Sequence, residues 1–223
     1  MTMNNIGVLI PAFNAGATIG DVITGVQRFI PKERIIVIDD GSRDSTSAVA
    51  SSMGAQVVTL VSNLGKGAAL QRGFDVVLGT KLDAVITMDA DLQHSPDFLP
   101  RFLELYGSGQ YDIIIGNRLH NMKGMPLHRI LSNTITTFLV SARTATNISD
   151  SQSGYRLIGR NVLESVKLHA HGFEAETEFI IRAAAEGFRF GVVPIQTVYG
   201  GEKSHMTHFS TTVKFIKVLF QDY

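Results

Sequence analysis

The sequence predicts an α/β fold, Rossmann-like, with a mostly parallel sheet and helices on both faces. Short runs of apolar and β-branched residues recur through the first half, and longer stretches with helical spacing separate them. Continuous apolar strands separated by helices are typical of βαβ units whose sheet is buried on both sides. The chain of 223 residues, 44% of them hydrophobic, can supply the core of a single large domain over residues 1–223.

The elements of the first half follow from these runs. Strands are predicted at residues 6–13, 34–39, 56–60, 83–89 and 111–117. Helices are predicted between them at residues 17–30, 44–53, 66–79 and 96–106. We expect Ser95 to cap the fourth helix with Pro96 at its first position, and Gly54 to follow the second helix as its C′ residue.

The second half has a different pattern. It predicts helices at 125–143, 159–167 and 174–186, a short strand at 154–158, an apolar run at 188–199 and a loop at 200–208. In the tail, apolar residues recur at helical spacing beside Lys214 and Lys217; they are Phe209, Val213, Ile216 and Phe220. This amphipathic helix could lie on an anionic bilayer or pack on the domain, and both interpretations stay open.

Composition excludes several classes of protein. The 20 basic and 20 acidic residues give no net charge, which argues against a general nucleic-acid-binding surface. Without cysteine there is no disulfide, zinc–thiolate site or cysteine nucleophile. The first residues do not resemble a secretory signal, and no window of about 18 apolar residues lacks charges. The sequence therefore favours a cytoplasmic protein without a transmembrane helix.

Polar or glycine-rich segments follow all five strands predicted in the first half. They are PAFN (11–14), DDGS (39–42), SNLGKG (62–67), DAD (89–91) and GNR (116–118). The carboxyl ends of parallel strands share one edge of the sheet, where ligands of doubly wound folds bind. The presence of polar or glycine-rich residues at all five strand ends therefore predicts a ligand site along this edge.

The DAD segment suggests a cation site. Asp89 and Asp91 would project to the same side of an extended chain, where their carboxylates repel each other. Mg²⁺ and Mn²⁺ prefer oxygen ligands, and Mg²⁺ is commonly held by one or two carboxylates together with substrate phosphates. The alternatives are that Asp91 caps the following helix, or that both carboxylates are solvated in a loop.

Two other strand ends carry candidate ligand-binding groups. Asp39 is expected to accept hydrogen bonds from a nucleobase or ribose, whereas Asp40 and Asp44 are expected to serve a turn and a helix cap. Lys66 stands among glycines ahead of a helix, an arrangement that can favour an anion. The segment does not match the P-loop pattern, because Gly67 follows the lysine.

Charged candidates in the second half are Asp150, Arg156, Glu176, Glu178 and Lys203. Basic residues also surround the entry to this half: Arg118, Lys123, His128 and Arg129. These basic residues could bind an anionic acceptor group or could lie in a solvated loop, and the pattern does not decide between the two.

The ordered motifs PAFNAGATI, VIDDGSRDST, NLGKGAALQRGF, MDADLQHSP, GNR, SGYRL and GFRFGVVPI resemble the inverting glycosyltransferases of family two. They are most similar to the polyprenyl- or dolichyl-phosphate mannosyl- and glucosyltransferases, over residues 6 to about 206. The resemblance implies a GT-A fold, a GDP-mannose or UDP-sugar donor, a Mg²⁺ or Mn²⁺ cofactor and a lipid-phosphate acceptor. It divides the chain into a nucleotide-sugar-binding half (1–118) and an acceptor half (119–223).

By position, the resemblance also implies roles for individual residues. Those expected to contact the nucleoside are Pro11, Ala12, Phe13 and Asp39. Asp89 would face the ribose or the metal, and Asp91 with Gln93 would bind the cation. Arg118 and Arg129 would hold the acceptor phosphate, and Lys203 would close over the donor diphosphate. One departure is Ala15, which stands where the family often has an acidic residue.

The implied reaction displaces a nucleoside diphosphate at the anomeric carbon, so a cation and Lys203 would stabilise the charge that builds on the leaving group. An ionised phosphate acceptor needs no strong base, whereas a hydroxyl acceptor would need Asp150 or Glu178. The basic residues favour the phosphate. Three alternatives stay open: transfer to a polysaccharide or lipopolysaccharide hydroxyl, a nucleotidyltransferase, and a non-catalytic nucleotide-sugar-binding domain. The expected partners include a membrane surface, contacted peripherally at its inner face, and no nucleic acid; the oligomeric state is open.

Overall fold

The structure is a computed structural model that describes residues 5–197 and 208–221. The strands in these ranges are β1 (Ile6–Ala12), β2 (Ile35–Asp39), β3 (Gln56–Thr59), β4 (Ala84–Thr87), β5 (Ile113–Asn117), β6 (Arg156–Gly159) and β7 (Phe190–Pro194). Together these described strands form one sheet in the order β3-β2-β1-β4-β6-β5-β7. Every pairing is parallel except those of β6, which is antiparallel to β4 and β5. The prediction of a mostly parallel sheet is confirmed.

The helices are α1 (Ile19–Gln27), α2 (Thr46–Ser52), α3 (Lys66–Leu78), α4 (Leu99–Gly107), α5 (Leu127–Thr144), α6 (Arg160–Ser165), α7 (Ala175–Ala185) and α8 (His208–Phe220). Short 3₁₀ turns at Lys32–Arg34 and Pro96–Phe98 precede β2 and α4. The predicted helix at 96–106 is therefore a 3₁₀ turn followed by α4. Across the described segments, no helix combines the length and apolar character needed to cross a bilayer.

The structure confirms the residues predicted to begin one helical segment and to end another. The Ser95 hydroxyl accepts the backbone N–H of Asp97 at 3.3 Å, with Pro96 at the first position of the 3₁₀ turn. Gly54 follows α2 with φ +82°, a left-handed conformation that glycine adopts without strain, and its N–H bonds the carbonyl of Ser51. The loop predicted at 200–208 lies outside the described residues except for His208, which begins α8.

Both faces of the sheet are buried along its central strands, as continuous apolar strands predict, whereas the edge strands β3 and β7 keep exposed residues. Alternate residues of one strand face opposite sides, so Leu9 of β1 packs towards α3 and α7, whereas Val8 and Ile10 pack towards α1 and α4. In β2, likewise, Ile36 packs on the face covered by α3 and α7, and Val37 packs on the face covered by α1 and α4. This packing holds the carboxyl ends of β1, β2 and β4 at one edge.

The antiparallel strand β6 brings the second half of the chain to that edge. It lies between β4 and β5, with Arg156 opposite Thr87. Because the two strands run in opposite directions, the residues that follow β4 lie beside those that precede β6. The topology therefore places Gly154 next to Asp89, although the two are far apart in sequence.

Candidate active site

The carboxyl edge of the sheet carries a small cleft formed by both halves of the chain. Its lining includes Pro11 of β1, Lys66 at the start of α3, Asp89 after β4, Arg156 of β6 and Glu176 of α7. Three residues predicted from strand ends, Pro11, Lys66 and Asp89, thus meet at one place. The second half contributes Arg156 and Glu176, which the sequence marked only as charged candidates.

The DAD segment forms a bent turn and does not continue the strand. β4 ends at Thr87 and the chain bends from Ala90 to Leu92, so the extended geometry assumed for the aspartate pair ends before Asp91. The Asp91 carboxylate accepts the N–H of Gln93 at 3.0 Å. Ser95, and not Asp91, caps the following 3₁₀ turn, which removes the interpretation of Asp91 as the helix cap.

Leu92 in this turn has φ +63°, a left-handed conformation. For a residue with a β-carbon this conformation costs roughly 1–2 kcal/mol. Such strain persists where surrounding contacts impose it, and it is common at functional sites. The strained residue lies between Asp91 and Gln93, the two residues that the family resemblance assigns to a cation.

Asp89 belongs to a partly buried cluster of three charges. The Lys66 ammonium lies 2.6 Å from Asp89 Oδ1 and 2.7 Å from Glu176 Oε1. Burial alone would raise the pKa of Asp89, but the nearby Lys66 cation holds that pKa well below its usual range. Burial likewise lowers the pKa of Lys66, yet the two carboxylates raise it above its ordinary value. Lys66 therefore offsets negative charge of Asp89, a role that the sequence analysis gave to a metal cation.

His94 holds the turn in place, a role that the sequence did not assign. Its Nδ1 accepts the N–H of Asp89 at 3.3 Å, and its ring stacks on Tyr155 with 5.1 Å between centroids. Burial lowers the pKa of His94 to about 4, so the imidazole is neutral near pH 7 and can keep accepting this hydrogen bond. The signal available in the sequence was its position, three residues after Asp91.

Gly154 passes directly against the charged cluster. A β-carbon at this position would lie 2.8 Å from Glu176 Oε1, 3.0 Å from Lys66 Nζ and 3.1 Å from Asp89 Oδ2. The hydroxyl of Thr87 donates to the Gly154 carbonyl at 2.7 Å and holds the backbone at this distance. The close approach therefore requires glycine.

Replacing Gly154 by alanine is expected to displace the cluster and lower the free energy of unfolding by about 1–3 kcal/mol, the usual cost of overpacking. Urea denaturation measures this change. Gly107→Ala is the matched control, because a β-carbon at the end of α4 would meet nothing within 4 Å apart from its chain neighbours and the backbone of its own helix. Equal stability of the Gly154→Ala variant and the wild type would show that the cluster can rearrange freely.

The loops after β1 and β2 are joined by hydrogen bonds. Ser42 Oγ accepts the N–H of Asn14 at 2.8 Å, and Asn14 Oδ1 accepts the N–H of Arg43 at 2.9 Å. Asp39 is buried at this junction and accepts the N–H of Ser42 at 3.0 Å. Phe13 is about half exposed at the same edge. The residues expected to contact a nucleoside, which include Pro11 and Ala12 at the end of β1, thus lie on one rim of the edge.

The glycine-rich loop before α3 does not offer its backbone to a phosphate. The Asp40 carboxylate accepts the N–H groups of Leu64 and Gly65 at 2.8 and 2.9 Å. In the first turn of α3, Gly67 N–H bonds the carbonyl of His171 at 2.7 Å. The protein's own acceptors occupy the predicted anion cradle, and Lys66 is the part of it that faces the cleft. This corrects the expectation that Asp40 serves mainly its own turn.

The two carboxylates considered as general bases are both engaged. Asp150 is fully buried and accepts three hydrogen bonds from Arg118: from the backbone N–H at 3.1 Å, Nε at 2.8 Å and Nη2 at 2.9 Å. Glu178 is also buried and accepts two backbone N–H groups and Arg182 Nε. Asp150 thus fixes the position of Arg118, and Glu178 fixes the position of Arg182 and of the backbone at His169 and Ala170.

The remaining residues predicted for the site are Arg156, Arg129 and Lys203. Arg156 is buried and donates to the carbonyls of Glu176 and Ser151, both at 3.0 Å, so it ties together the segments that form the cleft. Arg129 lies in the first turn of α5 and is partly buried. Lys203, expected to close over a diphosphate, lies outside the described residues.

Oxygen donors at the turn fit a hard divalent cation. Asp89 and Asp91 offer carboxylates and Gln93 an amide oxygen. Over residues 5–197 and 208–221, no group of three His, Asp or Glu side chains is arranged to hold a metal. Mg²⁺ is commonly bound by only one or two protein carboxylates together with phosphate oxygens of a substrate. The donor set therefore fits a cation that binds together with a phosphate-bearing ligand.

A family model and two named relatives match most of this chain. A model described as glycosyl transferase family 2 matches residues 7–167. The chain is 32% identical over 204 residues to polyprenol monophosphomannose synthase of Mycolicibacterium smegmatis, covering 84% of this chain and 75% of that protein. It is 28% identical over 214 residues to the UDP-N-acetylglucosamine–dolichyl-phosphate N-acetylglucosaminyltransferase of Methanococcus voltae, covering 86% and 85%.

A solved structure supports the fold. Glucosyl-3-phosphoglycerate synthase from Mycobacterium tuberculosis, crystallised with Mn²⁺, UDP-glucose and phosphoglyceric acid, matches with a TM-score of 0.78. Its sequence identity is 23%, and the match covers 97% of this chain and 78% of that chain. The GT-A fold implied by the sequence motifs is confirmed.

Proposed function

The chain belongs to glycosyl transferase family 2, and on that premise we propose that it transfers a hexose from a nucleotide-sugar to a polyprenyl or dolichyl phosphate, with inversion at the anomeric carbon. The observation that carries the proposal is the strained Asp89–Gln93 turn beside Lys66 at the carboxyl edge of the sheet. It supplies carboxylates and an ammonium where the ligands of such sheets bind. Two relatives support the acceptor class, since one is named as a polyprenol monophosphomannose synthase and the other as a transferase to dolichyl phosphate.

The donor would lie along the rim formed by the first two strand ends. In this arrangement the exposed Phe13 ring faces the base, and Asp39 accepts hydrogen bonds from the base or ribose. Asp89, Asp91 and Gln93 would hold Mg²⁺ or Mn²⁺, which when bound would neutralise charge on the leaving diphosphate. Lys66 keeps Asp89 ionised and oriented before the donor arrives, because the ion pair forms within the protein itself.

The charged residues of the site suit a phosphate group as acceptor better than a hydroxyl group. A hydroxyl must lose its proton during the transfer, and the two carboxylates that could take it, Asp150 and Glu178, are buried in hydrogen bonds. A phosphate monoester is already an anion near pH 7. Arg118, oriented by Asp150, and Arg129 are the proposed phosphate ligands. On this proposal the protein works in the cytoplasm, at the inner face of the membrane that carries the lipid.

A panel of donors tests the first half of the proposal. GDP-mannose, UDP-glucose and UDP-N-acetylglucosamine are each added with Mg²⁺, Mn²⁺ or EDTA, and the melting temperature is followed. We expect one donor to stabilise the protein only when a divalent cation is present, since a ligand that binds the folded state raises its stability. Stabilisation that EDTA does not change would refute the cation site.

A matched pair of acceptors tests the second half. Polyprenyl phosphate and the corresponding polyprenol differ only in the phosphate group. We expect release of nucleoside diphosphate with the phosphate and none above background with the alcohol. Turnover with a glycan hydroxyl in place of the phosphate would favour the polysaccharide alternative. Donor binding without turnover on any acceptor would favour a non-catalytic nucleotide-sugar-binding domain.

A further inference from the structure

The Lys66 ammonium contacts one of the two carboxylates proposed to bind the cation. It lies 2.6 Å from Asp89 Oδ1 and 2.7 Å from Glu176 Oε1. The Phe173 ring lies beside it, with 5.9 Å between Lys66 Nζ and the ring centroid, within the range of a cation–π contact. A lysine ammonium is charged near pH 7, so Asp89 has a positive neighbour before any ligand binds.

The backbone that carries Lys66 is held on both sides. The N–H of Gly65 donates to the Asp40 carboxylate at 2.9 Å, and the N–H of Gly67 donates to the carbonyl of His171 at 2.7 Å. These two bonds fix the start of α3 against the loop after β2 and the loop before α7. The root of the Lys66 side chain therefore has a defined position relative to the cleft.

Glu176 holds the ammonium from the acceptor half of the chain. It lies in the first turn of α7, where the helix dipole favours a carboxylate, and its side chain is only 7% exposed. Contacts within the folded chain thus place the Lys66 ammonium on Asp89, and neither a donor nor an acceptor is needed to bring it there.

A positive charge on Asp89 opposes the binding of a divalent cation to the same carboxylate. Mg²⁺ or Mn²⁺ bound by Asp89 and Asp91 would share the Asp89 carboxylate with the Lys66 ammonium, and the two cations would repel each other. The mostly buried side chains of the cluster are poorly screened by water, which strengthens this repulsion. A nucleoside diphosphate brings oxygen ligands and negative charge that attract both cations.

We propose that the Lys66 ammonium, held by Glu176, keeps a divalent cation from binding Asp89 until the diphosphate of the donor is present. The inference rests on the proposed function, because it takes a nucleotide-sugar as the ligand that brings the diphosphate. It adds a binding order to that function: the cation and the diphosphate bind together, and each raises the affinity of the other by the same factor. Lys66 and Glu176 are positioning residues in this scheme.

An ion pair with a purely structural role would have a different consequence. Lys66 would then stabilise the fold, and its removal would leave the cation affinity of the turn unchanged or would weaken it by loosening the site. Removal of a repelling charge instead strengthens cation binding. The direction of the change in affinity therefore separates the two roles.

Titration of Mn²⁺ without nucleotide, with the unbound ion followed by electron paramagnetic resonance, tests the inference. We expect Lys66→Met to bind Mn²⁺ about a hundred-fold more tightly than the wild type, because the repelling charge is gone. Lys66→Arg keeps the charge and should bind as weakly as the wild type. Lys81→Met, at an exposed lysine, is the matched control. Adding Asp91→Asn to Lys66→Met should abolish the gain, since the cation would lose a ligand.

The double variant Lys66→Met/Glu176→Gln keeps the test decisive if Lys66→Met alone does not fold, because it also removes the charge of Glu176. We expect it to show a gain of similar size in Mn²⁺ affinity without nucleotide. Equal Mn²⁺ affinity of the wild type and the folded Lys66→Met variants would overturn the inference. Tight binding of Mn²⁺ by the wild type without nucleotide would overturn it as well.

A separate measurement distinguishes this inference from the proposed function. Turnover of the wild type is followed with each nucleotide-sugar and polyprenyl phosphate. Turnover combined with unchanged Mn²⁺ affinity in the variants would refute the binding order alone. A gain in Mn²⁺ affinity without turnover on any donor would refute the proposed transfer and leave the effect of Lys66 on the cation in place.

Discussion

Replacing Asp91 by asparagine is expected to lower kcat about a thousand-fold and to abolish cation-dependent stabilisation by the donor. An asparagine oxygen can still accept the N–H of Gln93, which Asp91 accepts at 3.0 Å, so the strained turn should keep its shape. The substitution therefore separates the charge of the side chain from its role in the turn. The measurements are steady-state turnover and isothermal titration with Mn²⁺ and the donor.

The control for this experiment is Asp97→Asn. Asp97 is exposed, and its ion pair with Arg28 at 3.0 Å lies at the surface, where such pairs contribute little to stability. We expect turnover and cation binding of this variant to match the wild type. If Asp91→Asn retained cation-dependent donor binding, Asp91 would serve only the turn, and the cation would have to be held elsewhere.

Replacing Lys66 by methionine is expected to lower the free energy of unfolding by about 3 kcal/mol, because it removes the cation that pairs directly with both the Asp89 and the Glu176 carboxylate. In the wild type the Lys66 side chain is 16% exposed, that of Asp89 26% and that of Glu176 7%. Water therefore screens the cluster only weakly. Urea denaturation of metal-free protein measures the loss, and Lys81→Met, at an exposed lysine, is the control.

A double substitution tests whether the cluster acts as a unit. Lys66→Met/Glu176→Gln removes one of the two stranded carboxylates, so we expect it to recover part of the stability lost in Lys66→Met. Independent residues would instead give losses that add, which would contradict the coupling.

The stability that the Lys66–Asp89 ion pair contributes depends on pH in a defined direction. Lys66 lowers the pKa of Asp89 in the folded protein below its ordinary value of 3.8. The Lys66–Asp89 ion pair therefore stabilises the fold fully above pH 3.8, and this contribution is lost as the pH falls through the lower pKa of folded Asp89. The difference in stability between wild type and Lys66→Met should therefore shrink in acid.

Local patterns predicted most of the elements that carry the donor side. Apolar runs marked β1 to β5: β1, β2, β4 and β5 are buried on both faces, where few residues other than Val, Ile and Leu fit, whereas β3 at the edge of the sheet is only partly buried. Ser95, Pro96 and Gly54 marked helix ends through hydrogen bonds between near neighbours. These signals are local in sequence, and local structure follows from them.

The acceptor side was less predictable because its contacts join distant segments. A strand near residues 154–158 was predicted, but its direction and its place between β4 and β5 were not. No local pattern specifies which neighbour a strand pairs with. The pairing of Asp150 with Arg118 and the use of Asp40 by the glycine-rich loop likewise became visible only in the folded chain.

The sequence by itself determined the fold class, the family and the edge of the sheet at which polar groups collect. Each of these follows from periodicity and from the order of short motifs along the chain. Tertiary structure decided what those groups do, since a carboxylate is defined by its partners. Asp89 pairs with Lys66, Asp40 fills an internal anion site, and Asp150 orients an arginine. It also decided which side of α5 faces outward, because burial depends on neighbours that lie far away along the chain.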